Sequence, residues 1–188
     1  MTAHLRPARP ADAPAIAALH TASWRFAYRG ALSEHYLATD VEADRLALWT
    51  QRLQSPHPPA GQHVIVAAEG DRLLGFVCAY PGEDPVWGSL LDNIHVSAQA
   101  HGTGIGAQLL AAVADHCAAA CADAGLYLWV LQSNLQAQRF YAAHGAANVQ
   151  ADQWDAPGGT RVPTFRFAWQ ASALPVSGRP KPPRGAPA

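Results

Sequence analysis

The stretch His95 to Leu110, HVSAQAHGTGIGAQLL, places Gly102, Gly104 and Gly106 at alternate positions where a branched, extended run gives way to a helical pattern. A strand-to-helix turn without Cβ atoms lets a partner approach the main chain. A helix N-terminus adds unpaired N–H groups and the positive end of the helix dipole, which together form a natural cradle for phosphate oxygens. The same glycines also fit a plain tight turn with close helix-strand packing. GTGIGA matches the dinucleotide pattern G-x-G-x-x-A, and Asp123 follows about twenty residues on. Against that reading, the glycines lie mid-chain after a hairpin, and Asp123 sits near a helix end instead of closing a second strand. No Gly-Lys-Ser/Thr follows, so a Walker phosphate loop is excluded.

The flanking segments set the fold. TAHLRPA reads as a first strand, after which Asp12 caps the apolar-periodic helix APAIAALHTASWRFAY, ended by Gly30. Ser33 and Asp40 read as caps of two further helical pieces, the second with Leu46, Trp49 and Leu53 on one stripe. SPHPPAGQ breaks that helix, and HVIVAAEGDRLLGFVCAY reads as two strands joined at Gly70-Asp71. Then come the strand SLLDNIHV, the glycine turn, the helix IGAQLLAAVADHCAAACADAG, the strand LYLWVLQ, a helix from Asn134 to His144, and the strands GAANVQADQW and RVPTFRFAW. This order predicts an α/β fold of the α+β kind, a central mixed sheet with helices on both faces. Residues 1–170 are expected to form one domain, and the Pro- and Gly-rich residues 171–188 a disordered tail.

Thirteen Lys and Arg against fourteen Asp and Glu give a net charge of -1, which argues against nucleic acid or an anionic membrane as the main partner. No apolar run reaches the ~20 residues of a membrane span and the N-terminus lacks a signal-peptide core, so a cytoplasmic location is expected. Cys78, Cys117 and Cys121 read as reduced core thiols. No metal is expected, because His116, Cys117 and Cys121 have no second ligand pair at zinc spacing.

Downstream, NLQAQRFYAAHG carries Asn134, Ala137, Phe140, Tyr141 and Gly145 at the spacing N-x-x-A-x-x-F-Y-x-x-x-G. Together with NIHV and HGTGIGAQLL this resembles the GNAT superfamily of N-acetyltransferases, over Thr2 to Gln170. HTASWRFAYRGALSEHYL is similar to a bacterial subgroup with a Ser-Trp-Arg and Tyr-Arg-Gly signature, which names no substrate.

The resemblance implies acetyl-CoA as cofactor and an amine as acceptor, small or on a protein, with a homodimer left open. It implies a splayed strand pair, LLDNIHV and LYLWVLQ, with pantetheine between them. Ile94, His95 and Val96 would bind it through their backbone and polarise the thioester carbonyl. His101 takes the place of the usual Arg or Gln at the head of the phosphate loop, followed by Gly102, Thr103, Gly104, Ile105 and Gly106. Asn134 would contact the cofactor. Leu90 occupies the usual position of a catalytic Glu, so Asp92, two residues along on the same face, is the candidate base. His95 is second, on the opposite face unless a bulge intervenes. Tyr141 is the expected general acid toward the leaving thiolate. Trp24, Tyr28 and Trp87 are the expected acceptor-site aromatics, with Glu34, Tyr36, Glu83 and Asp84 nearby.

The expected function is direct acetyl transfer to a primary amine in a ternary complex. The alternatives are a non-catalytic acyl-CoA-binding sensor, which Leu90 keeps open, and a dinucleotide-dependent oxidoreductase.

Overall fold

The Gly70-Asp71 turn joins two long apolar strands, β2 (His63–Glu69) and β3 (Arg72–Asp84), around which the sheet is built. A computed structural model describes residues 3–55 and 61–178 of the chain. The remaining strands are β1 (His4–Pro7), β4 (Gly88–Val96), β5 (Leu126–Leu131), β6 (Ala147–Ala156) and β7 (Thr160–Trp169), and the sheet order is β1-β2-β3-β4-β5-β7-β6. Only β4 and β5 run parallel; every other neighbouring pair is antiparallel.

Helices cover both faces. On one side α3 (Ile105–Ala120) lays Leu109, Leu110 and Val113, all fully buried, over β2, β3 and β4, in one core with Leu126, Leu128 and Val130 of β5. Burying each such side chain contributes about 1.5–3 kcal/mol. The short helix α4 (Leu135–Ala143) packs beside it through Ala137, Phe140 and Tyr141. On the other side α1 (Ala13–Ala27) and α2 (Val41–Gln54) bury Ile16, Ala17 and Trp49 against Val64, Val66, Phe76 and Cys78. The apolar run LYLWVL is thus explained by burial on two faces.

The β4–β5 pair decides where a site can form. It is hydrogen-bonded in parallel only at Ser89–Leu126 and Leu90–Tyr127, and beyond that the strands diverge. At the joined end the backbones touch. A Cβ on Gly88 would lie 2.4 Å from the Gly125 carbonyl oxygen, and one on Gly125 would lie 2.6 Å from that of Trp169. At the open end β4 carries a bulge: Cys78 pairs with Asn93 and Ala79 with Leu91, leaving Asp92 as the extra residue.

Several expectations are corrected. Asp12 precedes α1 but does not cap it, because its carboxylate binds Arg6 at 2.7 and 2.8 Å and the Arg9 N–H at 2.7 Å. Asp40 likewise precedes α2 without a side-chain cap, at the end of a single π-helical turn, Tyr36–Asp40. Leu46 is exposed; the inward stripe of α2 is Val41, Arg45 and Trp49. α3 ends at Ala120, before Cys121. Residues 171–178 do not form a disordered tail: Leu174 is buried in the α3-side core, Val176 packs beside it, and the Ser177 N–H donates to Asp115 at 3.0 Å. The rest of the expected tail, 179–188, lies outside the described residues.

Candidate active site

Where β4 and β5 part, a cavity of about 590 Å³ opens between α1, α2, the splayed strands, α4 and β6. Its lining includes Asp92, Ile94, His95, Asn134 and Tyr141 together with Trp24 and Tyr28, so both expected catalytic residues and two of the three expected acceptor-site aromatics converge here.

The bulge brings the two base candidates to one side. Asp92 reaches Arg52 of α2 at 2.6 Å, and a second hydrogen bond comes from the Asn93 amide. His95 lies 4.6 Å, ring to ring, from His20 of α1 and 5.3 Å from Phe76. The extra residue resets the alternation, so His95 shares the α1/α2 face with Asp92 while Ile94 and Val96 turn to the α3-side core. Burial, with the positive charge of Arg45 second, pushes His95 down to about 4, so its ring is neutral at ordinary pH. The buried His20 accepts at Nδ1 from the Trp49 indole N–H at 3.0 Å. Because indole is only a donor, the proton of a neutral His20 sits on Nε2.

Backbone groups also face the gap. The Ser97 N–H donates to the Leu74 carbonyl, on the β3 side, at 2.8 Å. By strand alternation the N–H and C=O groups of Ile94 and Val96 point the other way, between β4 and β5.

The glycine turn leads from there to α3. Gly102 and Gly104 adopt φ of +77° and +86°, a left-handed conformation that side chains disfavour. The first bond into α3 runs from the Gln108 N–H to the Gly104 carbonyl, so the N–H groups of Ile105, Gly106 and Ala107 precede the helical ladder. No Cβ crowding exists at Gly102, and Gly104 would meet nothing nearer than Gln108 at 4.0 Å. Two expected side-chain contributions are redirected. The His101 ring nitrogen lies 3.0 Å from the Val96 carbonyl and the Thr103 hydroxyl donates to the Ala100 carbonyl at 2.7 Å, so both fasten the turn itself. Ile105 is buried in the core.

On α4, Asn134 caps the helix by accepting from the Ala137 N–H at 3.1 Å, and Tyr141 faces inward two turns later. Burial is the main cause holding the Tyr141 phenol well above its ordinary value, with nearby Tyr28 adding to it. The phenol therefore keeps its proton.

At the end of the cavity formed by α1 and β6, Trp24 stands 5.0 Å from Tyr28 and 5.9 Å from Trp154, ring to ring. Trp87 is not part of this cavity: its ring lies 4.6 Å from the Arg166 guanidinium at the β3–β4 turn. Asp84 accepts there from the Val86 and Trp87 N–H groups, and Glu83 from the Tyr127 hydroxyl. Tyr36 donates to Asp44, and Glu34 accepts from the Gly30 N–H at 3.3 Å, neither of them lining the cavity. Sequence reasoning missed Arg45, Arg52, Trp129, Trp154 and His20. The signal for the first two was present, since Arg45 lies four residues from both Val41 and Trp49, and Arg52 three beyond Trp49.

A cavity between splayed parallel strands, beside a helix N-terminus exposed by glycines, can hold an extended thioester with its phosphates on the helix. No curated protein matches the sequence. Among solved structures, a GCN5-related N-acetyltransferase from Rhodopseudomonas palustris is similar at 23% identity and TM-score 0.70, over 90% of this chain and 96% of that one. PaiA N-acetyltransferase from Thermoplasma acidophilum, solved in complex with coenzyme A, is similar at 18% identity and TM-score 0.66, covering 90% and 99%. YncA from Salmonella typhimurium, solved with its cofactor acetyl-CoA, is similar at 17% identity and TM-score 0.64, covering 100% and 99%. At these identities the likeness is one of fold. The sequence profile of the acetyltransferase (GNAT) family matches residues 17–146, and with that match the chain belongs to the acetyltransferase (GNAT) family.

Proposed function

We propose that the protein moves an acetyl group from acetyl-CoA directly to a primary amine while both are bound. The observation that carries this reading is the parting of β4 and β5 over a cavity lined by Asp92, His95 and Tyr141, with β4 leading on through the glycine turn to the N-terminus of α3. Bound acetyl-CoA supplies the activated thioester. The N–H groups around Gly102 to Gly106 cradle its diphosphate, with Asn134 as a further contact. The backbone groups of Ile94 and Val96 hold the pantetheine arm in the gap and polarise the thioester carbonyl.

An alkylammonium has a pKa of about 10 and must lose a proton before it attacks. Asp92 attracts the ammonium and takes that proton, directly or through water, while Arg52 holds the carboxylate in position. His95, neutral at working pH, offers a hydrogen-bond acceptor beside it. Tyr141 delivers its hydroxyl proton to the departing sulfur. Trp24 and Tyr28 wall the acceptor.

Thermal shift with acetyl-CoA, coenzyme A and NAD, followed by an amine panel read by thiol release, tests this reading. Acetyl-CoA at a hundred times its dissociation constant should stabilise by about 2.7 kcal/mol, and NAD should not. Asp92→Asn should lower turnover at neutral pH with acetyl-CoA affinity nearly unchanged. Stabilisation by NAD alone, or absence of thiol release with every amine, would overturn acetyl transfer.

A further inference from the structure

The acceptor end of the cavity contains a cation with a buried donor that has no acceptor. Arg45 lines the cavity from the inward stripe of α2 and is only 8% exposed. A guanidinium has five N–H donors. Nη2 of Arg45 meets Asp44 at 3.0 Å, and Asp44 is also held by the Tyr36 hydroxyl. Nε is buried without an acceptor, while the Tyr36 hydroxyl also interacts with the guanidinium. The Trp24 ring, 4.2 Å from the guanidinium carbon, offers a π face to the charge but no lone pair to an N–H. Leaving a buried charged donor unmatched is costly, so such a group in a cavity favours an anionic partner. Arg52, the other cavity arginine, also has a carboxylate partner, Asp92 at 2.6 Å, but among the described residues none of its nitrogens is buried without an acceptor.

We propose that Arg45 anchors a carboxylate on the amine acceptor, which makes the acceptor an amino acid or a related zwitterion. This rests on the acetyl-transfer reading of the same cavity. The planar guanidinium fork suits a planar monoanion. Asp44 beside it, with Asp92 and Asp152 in the same lining, opposes a dianion such as a phosphate monoester. Asp92 on β4 and Arg45 on α2 give the two ends of a zwitterion separate partners, and the Trp24, Tyr28 and Trp154 rings enclose its apolar part.

The test offers each proteinogenic L-amino acid beside its α-carboxamide, with acetyl-CoA, and follows thiol release. The α-amino group of an amide loses its proton more readily than that of the acid. Intrinsic reactivity therefore favours the amide, and preference for the acid reports recognition. The best acid should exceed its amide by about 10²-fold or more in kcat/KM, because rejecting the analogue leaves buried donors unpaired. Arg45→Gln should bring that ratio to about 1, chiefly through the KM of the acid. If Arg45→Gln does not fold, the wild-type ratio still decides. Amides used as well as acids would overturn the carboxylate anchor and leave acetyl transfer standing. If neither series releases thiol while another amine of the panel does, the carboxylate anchor is overturned and acetyl transfer stands; if no amine releases thiol, acetyl transfer is overturned, and thermal shift decides the anchor: stabilisation by an acid but not its amide keeps it, and stabilisation by neither removes it.

Discussion

Tyr141 combines two properties that a general acid needs, a place in the cavity lining and a phenol that burial keeps protonated. Tyr141→Phe retains the ring contacts with Phe167 and Trp169 and removes only the proton. Turnover should fall by about 10²–10⁴-fold while acetyl-CoA affinity stays close to wild type, as read by steady-state kinetics and a binding titration. Full turnover in the Phe variant would reduce Tyr141 to packing. His95 leads to a different measurement. Its pKa falls from 6.5 in the unfolded chain to about 4 in the folded one, and His20 is also lowered by burial. Between those values the unfolded state binds more protons, so stability is complete above pH 6.5 and declines as pH drops toward 4. Melting temperatures from pH 7 to 4.5 should show this decline, and His95→Gln should flatten it. A wild-type curve without slope in that window would contradict the burial of both rings.

The glycine turn and α4 carried most of what could be read locally. Gly102 and Gly104 need a left-handed backbone, and the Asn134-to-Tyr141 spacing puts cap and phenol on one face; both follow from short-range geometry. Gly104→Ala should cost about 1–2 kcal/mol through backbone strain alone, since the added Cβ meets nothing within ordinary contact. It should also weaken acetyl-CoA binding, because the turn that aims the N–H groups is altered. A melting temperature lowered by a few degrees with unchanged affinity would separate the turn from the phosphate site. The β4 bulge was not legible. A bulge is an arrangement between two strands, and nothing in SLLDNIHV marks Asp92 as the residue without a partner on β3. Arg45 was missed for a related reason, since an arginine on an apolar stripe is normally taken to reach solvent.

Across the whole molecule, the C-terminal segment matters more than its composition suggests. Leu174 is 2% exposed among side chains of the α3-side core, although the run ASALPVSG carries no periodic pattern. Leu174→Ala should destabilise the protein by about 2 kcal/mol or more, and deletion from Ala171 onward by at least as much. A urea denaturation midpoint measures this directly, and an unchanged midpoint in both variants would show that the segment contributes no stability. One leucine found its place because the segment after β7 runs to α3, where the Ser177 N–H binds Asp115, a neighbourhood no local pattern encodes.

Element order, the mixed sheet, the hairpin at Gly70-Asp71, the glycine-exposed helix end and the Asn134–Tyr141 pair were written in the sequence. Each depends on periodicity, capping or backbone freedom within a few residues. The tertiary structure alone decided that Asp92 and His95 meet on one face, that Trp87 stacks on Arg166 away from the cavity, and that Arg45 is buried with its Nε unmatched. Those outcomes depend on which distant segments become neighbours, and burial and pairing across such contacts arise only once the sheet has closed on its helices.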